Sequence, residues 1–339
     1  MNSWLFAFVV RKRPTYVLVA VALGALHLAC YALAEAVLPV SATGTNPDGT
    51  SWRYATAPNW NVALLFSTQV TYMILIVHFV LRGARADCSA LENVVGAEAA
   101  NQTRNDLARM PPLAWATALL LGTGLWAAHM QTMGELTQLW KWLSRMPGYM
   151  LWIHFDALLF WLGVTCVIVI FCRTAWLLYR LGLRIEEVDP LDIRALRGFS
   201  QSGPRMTLSL AGSLILSLAF VGFYAAFYIV PAALVIGISL ALFLLPLLPV
   251  RRRILAARET ALNQLKGAMS GDYKTLAGTR FAGTNSLADL VTLRQALENS
   301  PTWPISHAGW WRFAAFALLP TLSWAASWIV GAALDEYFS

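Results

Sequence analysis

Apolar residues in this chain gather into long unbroken runs, and polar residues into the stretches between them. Seven runs, near 15–38, 62–81, 112–133, 150–172, 206–229, 232–250 and 313–334, are long enough to cross a hydrocarbon core. Such a core is about 30 Å thick and takes roughly 20 helical residues to span. Backbone polar groups in lipid must bond within their own segment, so the runs predict helices. The fold class expected is all-α, a seven-span transmembrane bundle. Residues 206–250 are apolar throughout, about twice what one span needs. Proline removes a backbone donor and disfavours helix at the residue before it, so a tight turn is predicted at Val230-Pro231.

Three polar stretches also carry helical spacing. Residues 86–109 mix leucine, valine and alanine with charges, and 251–270 place Ile254, Leu255, Leu262, Leu265 and Met269 on one side. Residues 286–299 repeat leucine at 287, 290, 293 and 297, with Asn285 or Ser286 as N-cap. The last two predict a helical hairpin joined by the Gly/Thr-rich stretch 271–284. Neither can bury its stripe alone, so each must pack on the other, on 86–109 or on another protein. The layout expected is an N-terminal interfacial segment (1–14), spans one to six (15–250, with loops 82–111 and 173–205), the hairpin (251–312), and a seventh span with its tail (313–339). The fourth apolar pattern persists past Arg173, predicting a helix that continues to about Leu183.

Charge gives the bundle a direction. Of 25 Lys and Arg, 22 lie in the stretches 1–14, 82–111, 173–205 and 251–312, and only Arg53, Lys141 and Arg145 lie elsewhere. Basic residues near span ends stay cytoplasmic, so the hairpin and the N-terminus are expected inside and the C-terminus outside. Trp52, Trp60, Trp140, Trp142 and Trp152 mark the outer boundary, and Trp303, Trp310 and Trp311 the inner one. Composition agrees: 58% hydrophobic and 13% charged residues could not give a water-soluble domain its polar cover. The net charge of +7 is spread over every basic loop, as lipid headgroups and insertion require, which excludes a nucleic-acid partner. The partner expected is the lipid bilayer, with a cytoplasmic protein or a second copy of the chain as further partners.

Ionisable residues inside spans point to function because each costs a few kcal/mol unless paired or hydrated. His27, His78, His129 and His154 lie in spans, with Glu35 and Asp156. Depth counting puts His27 near the bilayer centre, His78 toward the cytoplasm, and Glu35, His129, His154 and Asp156 in the outer half. Together with His27, that outer quartet is the candidate intramembrane polar or transport site. It reads first as water-boundary and helix-to-helix bonding, then as the mouth of a polar cavity, and last as a site in which His129 and His154 hold a divalent metal or haem iron. No cofactor is otherwise predicted. His154 and Asp156 are two apart, so a regular helix points them about 200° from each other.

Searches for GxSxG, HExxH and GxxxxGK[ST] fail, so no catalytic residue is assigned and enzymatic activity is not expected. Serines and threonines within spans, Ser67 among them, read as helix-to-helix contacts. Cys30, Cys88, Cys166 and Cys172 form no CxxC pair and read as small apolar side chains. Two segments resemble an uncharacterised group of bacterial multi-pass inner-membrane proteins. One is Val188-Asp189-Pro190-Leu191-Asp192 with Arg197-Gly198-Phe199. The other is Pro301-Thr302-Trp303-Pro304-Ile305 with Leu319-Pro320 and Ser323-Trp324. That resemblance implies a membrane location and no activity. Three functions stay open: permeation of a small solute or ion, which the intramembrane charges favour; a signalling or scaffold subunit; and a haem or metal redox protein.

Overall fold

The computed structural model describes residues 13–37, 41–45, 51–55, 60–132, 147–221, 225–279, 281–283, 286–319 and 322. Helix α1 covers Arg13–Val37 and α2 covers Trp60–Ala90. Two short helices follow, α3 (Glu92–Val95) and α4 (Ala97–Leu107), then α5 (Pro112–Thr132) and α6 (Pro147–Leu183). After a 3-10 turn at Ile193–Leu196 come α7 (Arg197–Val221), α8 (Ala225–Leu244) and α9 (Leu247–Met269). A second 3-10 turn, Tyr273–Leu276, leads to α10 (Leu287–Glu298). A last helix, α11, is described over 307–319.

Among the described residues, four helices are long and apolar enough to cross a membrane, in α1, α2, α5 and α6. Their outward faces are greasy: Leu18 is 68% exposed, Leu113 78% and Leu120 74%. Contiguous apolar surface on this scale is rare on soluble monomers and is what lipid covers. The chain is therefore a protein of apolar, membrane-type helices. The predicted segment 1–14 and the acidic tail lie almost entirely outside the described residues, as does most of the last run beyond 319.

Helix α2 is the hub, packed against α1, α4, α6 and α7. Polar links fasten these contacts. Tyr72 Oη donates to the Ser209 carbonyl at 3.0 Å, and Gln69 Nε2 donates to the Ser213 carbonyl at 3.0 Å, both joining α2 to α7. Thr165 Oγ1 donates to the Ala118 carbonyl at 2.9 Å, joining α6 to α5. In lipid such bonds supply directionality that apolar packing lacks. Toward the basic end the contacts become a true interior, with Leu81, Phe171, Leu178, Phe199, Met206, Phe243 and Leu247 all fully enclosed.

Three expectations about boundaries are corrected. The break between the fifth and sixth runs is not at Val230-Pro231: α7 ends at Val221, α8 begins at Ala225, and Pro231 lies within α8. Proline seven positions into a helix forfeits one backbone bond, a loss membrane helices tolerate. The helix expected from 251 begins at Leu247 behind Pro246, which occupies the position before the first turn. The segment 82–111 is not a loop from its first residue, because α2 runs on to Ala90 and the chain bends only at Gly96, whose φ of 85° few other residues adopt.

The all-α expectation also needs one qualification. Ser41–Thr45 and Ser51–Ala55 form an antiparallel ribbon, Ser41 opposite Ala55 and Thr45 opposite Ser51. Its strands flank Asn46-Pro47-Asp48-Gly49, residue types that favour reversal. Elsewhere helices carry the fold. α6 does reach Leu183, and α9 and α10 share an apolar cluster built from Ala261, Leu265, Ala268, Leu276, Phe281, Leu290 and Leu297. Ser286 stands at the N-cap of α10 without a side-chain capping bond.

Candidate functional site: a buried histidine, aspartate and serine

Three helices bring one ionisable cluster together. His27 on α1 places Nε2 2.7 Å from Asp156 Oδ1 on α6, and its Nδ1 lies 2.9 Å from Ser67 Oγ on α2. Asp156 is 1% exposed, His27 9% and Ser67 6%. The second carboxylate oxygen, Asp156 Oδ2, is buried and has no hydrogen-bond partner among the described residues.

The approach of α1 to α2 is what delivers His27. Gly24 lies one turn before it, and a Cβ at Gly24 would stand 3.0 Å from the Ser67 carbonyl and 2.0 Å from Thr71 Oγ1. No larger residue allows that approach. Thr71 Oγ1 donates to the Ser67 carbonyl at 2.9 Å and reaches the Ala20 carbonyl at 3.3 Å, holding the crossing from the other side. Near the N-terminal end of α1, Tyr16 Oη donates to the Ile74 carbonyl while its ring stacks on His78 with centroids 3.9 Å apart.

Electrostatically the dyad resists exposure and invites protonation chemistry. A lone carboxylate in this setting would be strongly disfavoured, so the imidazole opposite it is a required partner. The pair carries no net charge whether the shared proton rests on nitrogen or oxygen. Gaining or losing one further proton would make it a buried ion. In either neutral form Nδ1 carries a hydrogen and donates to Ser67 Oγ, giving a continuous Ser67–His27–Asp156 chain of exchangeable protons.

The residues singled out in the sequence do not converge as one quartet. Asp156 joins His27 instead of His129 or His154. His154 is buried with its ring edge-on to Trp126 of α5, centroids 6.3 Å apart. His129 of α5 faces Trp161 of α6 at 5.8 Å. Each histidine therefore meets an indole from the opposite helix. His154 and Asp156 point to different neighbours, as their spacing requires. The side chain of Glu35 lies outside the described residues. Among the described residues no three His, Cys, Asp or Glu side chains gather as metal ligands would.

The sequence marks Ser67 only as a span hydroxyl and carries no signal for Gln69, which is 1% exposed. A better ruler was present. His27 lies 14 residues beyond Arg13, Ser67 15 residues before Arg82, and Asp156 17 residues before Arg173. At 1.5 Å per residue all three stand about 21–26 Å above the basic boundary. Counting from arginines, and not from the indistinct outer span ends, puts them at one level.

A second polar contact lies nearer the basic end. Asp87, 3% exposed, receives two hydrogen bonds from Arg205, at 2.8 and 2.7 Å. The motif residues around 188–199 have structural roles there. Asp189 Oδ1 accepts from the Leu191 amide and Asp192 Oδ1 from the Arg194 amide, while Phe199 is enclosed. Trp303 receives the Arg251 guanidinium 4.6 Å from its ring centroid and packs edge-on against Trp310. Comparison of the chain with protein-family models, curated proteins and solved structures finds no match, so the site must be read from its own geometry.

Proposed function

We propose that this chain is a seven-span bacterial inner-membrane permeation protein, N-terminus cytoplasmic and C-terminus external, in which the proton is the permeating ion. The observation that carries this reading is the 2.7 Å contact between His27 and Asp156 inside apolar helices, extended by Ser67. Intramembrane ionisable residues are expensive and mark ion and proton pathways. Side chains from three separate helices meet at one level, where a small tilt of α1 would open or close the dyad. Asp156 Oδ2 offers a further acceptor for an arriving proton. The helices α9 and α10 form the cytoplasmic hairpin of this arrangement.

The test is proton flux into liposomes carrying the purified protein and an internal pH dye, driven by a valinomycin-clamped potassium potential. Wild-type protein is expected to carry protons. Asp156→Asn and His27→Gln should abolish the flux and Ser67→Ala should slow it. Wild-type liposomes no more permeable than protein-free ones would overturn the reading.

A second reading has one observation in its favour: serine, histidine and aspartate stand in the order used by hydrolases. Ser67, however, sits within α2, whose own N–H groups are committed to helix carbonyls and cannot serve an oxyanion. Covalent labelling of wild-type protein, but not Ser67→Ala, by a fluorophosphonate probe would favour it over permeation.

A further inference from the structure

Where α2 leaves its apolar run, it meets α4 around a cavity of about 230 Å³. Arg82, Arg85 and Arg104 line it, with His78, Ser89 and an apolar wall from Leu81 and Ala86. We infer that this cavity is a binding site for the phosphate group of an anionic lipid.

Three guanidinium groups around one small space repel each other unless an anion joins them. The protein supplies little compensation. Asp87, the buried acid on the same turn of α2, is already held by both terminal nitrogens of Arg205. Glu92 comes no nearer to Arg104 than 3.9 Å, and that pair is partly exposed. Arg82 and Arg85 have no ion-pair partner among the described residues, and Arg85 Nε is buried without a hydrogen-bond acceptor. Arg104 is aimed by neutral groups, since its Nη1 donates to Ser89 Oγ at 3.2 Å. The guanidinium is thereby oriented without being neutralised. Arginine forks of this kind suit phosphate oxygens.

The size and place favour a lipid headgroup over a soluble phosphate compound. The volume is below the 300 Å³ or so at which pockets for drug-sized ligands begin. The cavity opens where the apolar part of α2 ends. Phe79 follows its lining residue His78, and Val17 and Leu18 follow Tyr16, whose ring stacks on His78; these three are 49%, 47% and 68% exposed. An acyl chain can lie along those side chains while its phosphate enters between the arginines. Basic pockets at the cytoplasmic ends of spans recognise anionic headgroups in this way. The inference rests on the membrane placement proposed above, but not on the proton pathway.

Native mass spectrometry and thermal unfolding of the full chain in detergent would test it, with short-chain phosphatidylglycerol, phosphatidylcholine and inorganic phosphate as probes. Phosphatidylglycerol should bind and raise the unfolding temperature while phosphatidylcholine does not. Arg82→Gln, Arg85→Gln and Arg104→Gln should each weaken that binding about fivefold. Arg294→Gln, in α10 and outside the cavity, removes the same charge and should leave binding unchanged. Competition by millimolar inorganic phosphate would overturn the lipid as the source. Equal binding of the two lipids, or equal loss in all four variants, would overturn the site. Flotation of the expressed protein with membranes is measured alongside, and its failure would sink the membrane placement itself.

Discussion

Arg205 grips Asp87 with both terminal nitrogens, and this one side-chain pair ties the start of α7 to the far end of α2. Gly83 makes room for it, because a Cβ there would lie 2.1 Å from Arg205 Nη1. Asp87 is buried and Arg205 only partly accessible, so removing one partner strands the other. Arg205→Gln and Asp87→Leu are each expected to destabilise the protein by about 3–5 kcal/mol, while the double substitution should recover part of the loss. Thermal unfolding in detergent reads this; strictly additive losses would contradict it.

Gly24 gives a steric prediction. Gly24→Ala would force its methyl group against the Ser67 carbonyl and Thr71, costing about 1–3 kcal/mol and separating His27 from Ser67. Gly124, which faces open space on α5, accepts alanine without a clash and serves as the control. Unfolding temperature and proton flux should fall together in the first variant and in neither respect in the second.

His154 should prove replaceable by an apolar ring. Both of its nitrogens are buried without a hydrogen-bond partner among the described residues, and its ring rests against Trp126. His154→Phe keeps the aromatic contact and removes two unsatisfied groups, so stability should hold or rise by about 1 kcal/mol. His154→Ala should lower it by removing the packing. A loss of proton flux in His154→Phe matching that of Asp156→Asn would place His154 in the pathway instead.

The proposed orientation predicts a labelling pattern. A cysteine at Thr43, in the ribbon, should react with an impermeant maleimide in intact cells on a background lacking the native cysteines. A cysteine at Gly271, between α9 and α10, should react only after permeabilisation. The reverse pattern would invert the bundle.

Much of the architecture was readable because lipid allows few alternatives. Long apolar runs must become helices, and α1, α2, α5 and α6 lie where such runs occur. Where one run continues into another, hydropathy carries no boundary, and a proline such as Pro231 can lie inside a helix as well as between two. The ribbon was missed because Ser41–Thr45 and Ser51–Ala55 are too short and polar to show a core-facing alternation. Their signal lay in the turn residues between them. The site was half legible. His27 and Asp156 stand out as charges within spans, but their meeting depends on which helices neighbour one another. Periodicity within a single helix does not encode that choice. Gly24 does so only once its partner helix is known.

Helix α2 runs unbroken from Trp60 to Ala90, with Ser67 toward one end and Arg82, Arg85 and Asp87 toward the other. Those stations share a single stiff rod with no proline along its length. A push on the arginine end has no joint in which to dissipate. It must appear as a tilt or rotation at Ser67, about 22 Å away along the axis. If both proposals hold, occupancy of the cavity and geometry of the proton site are the two arms of one lever.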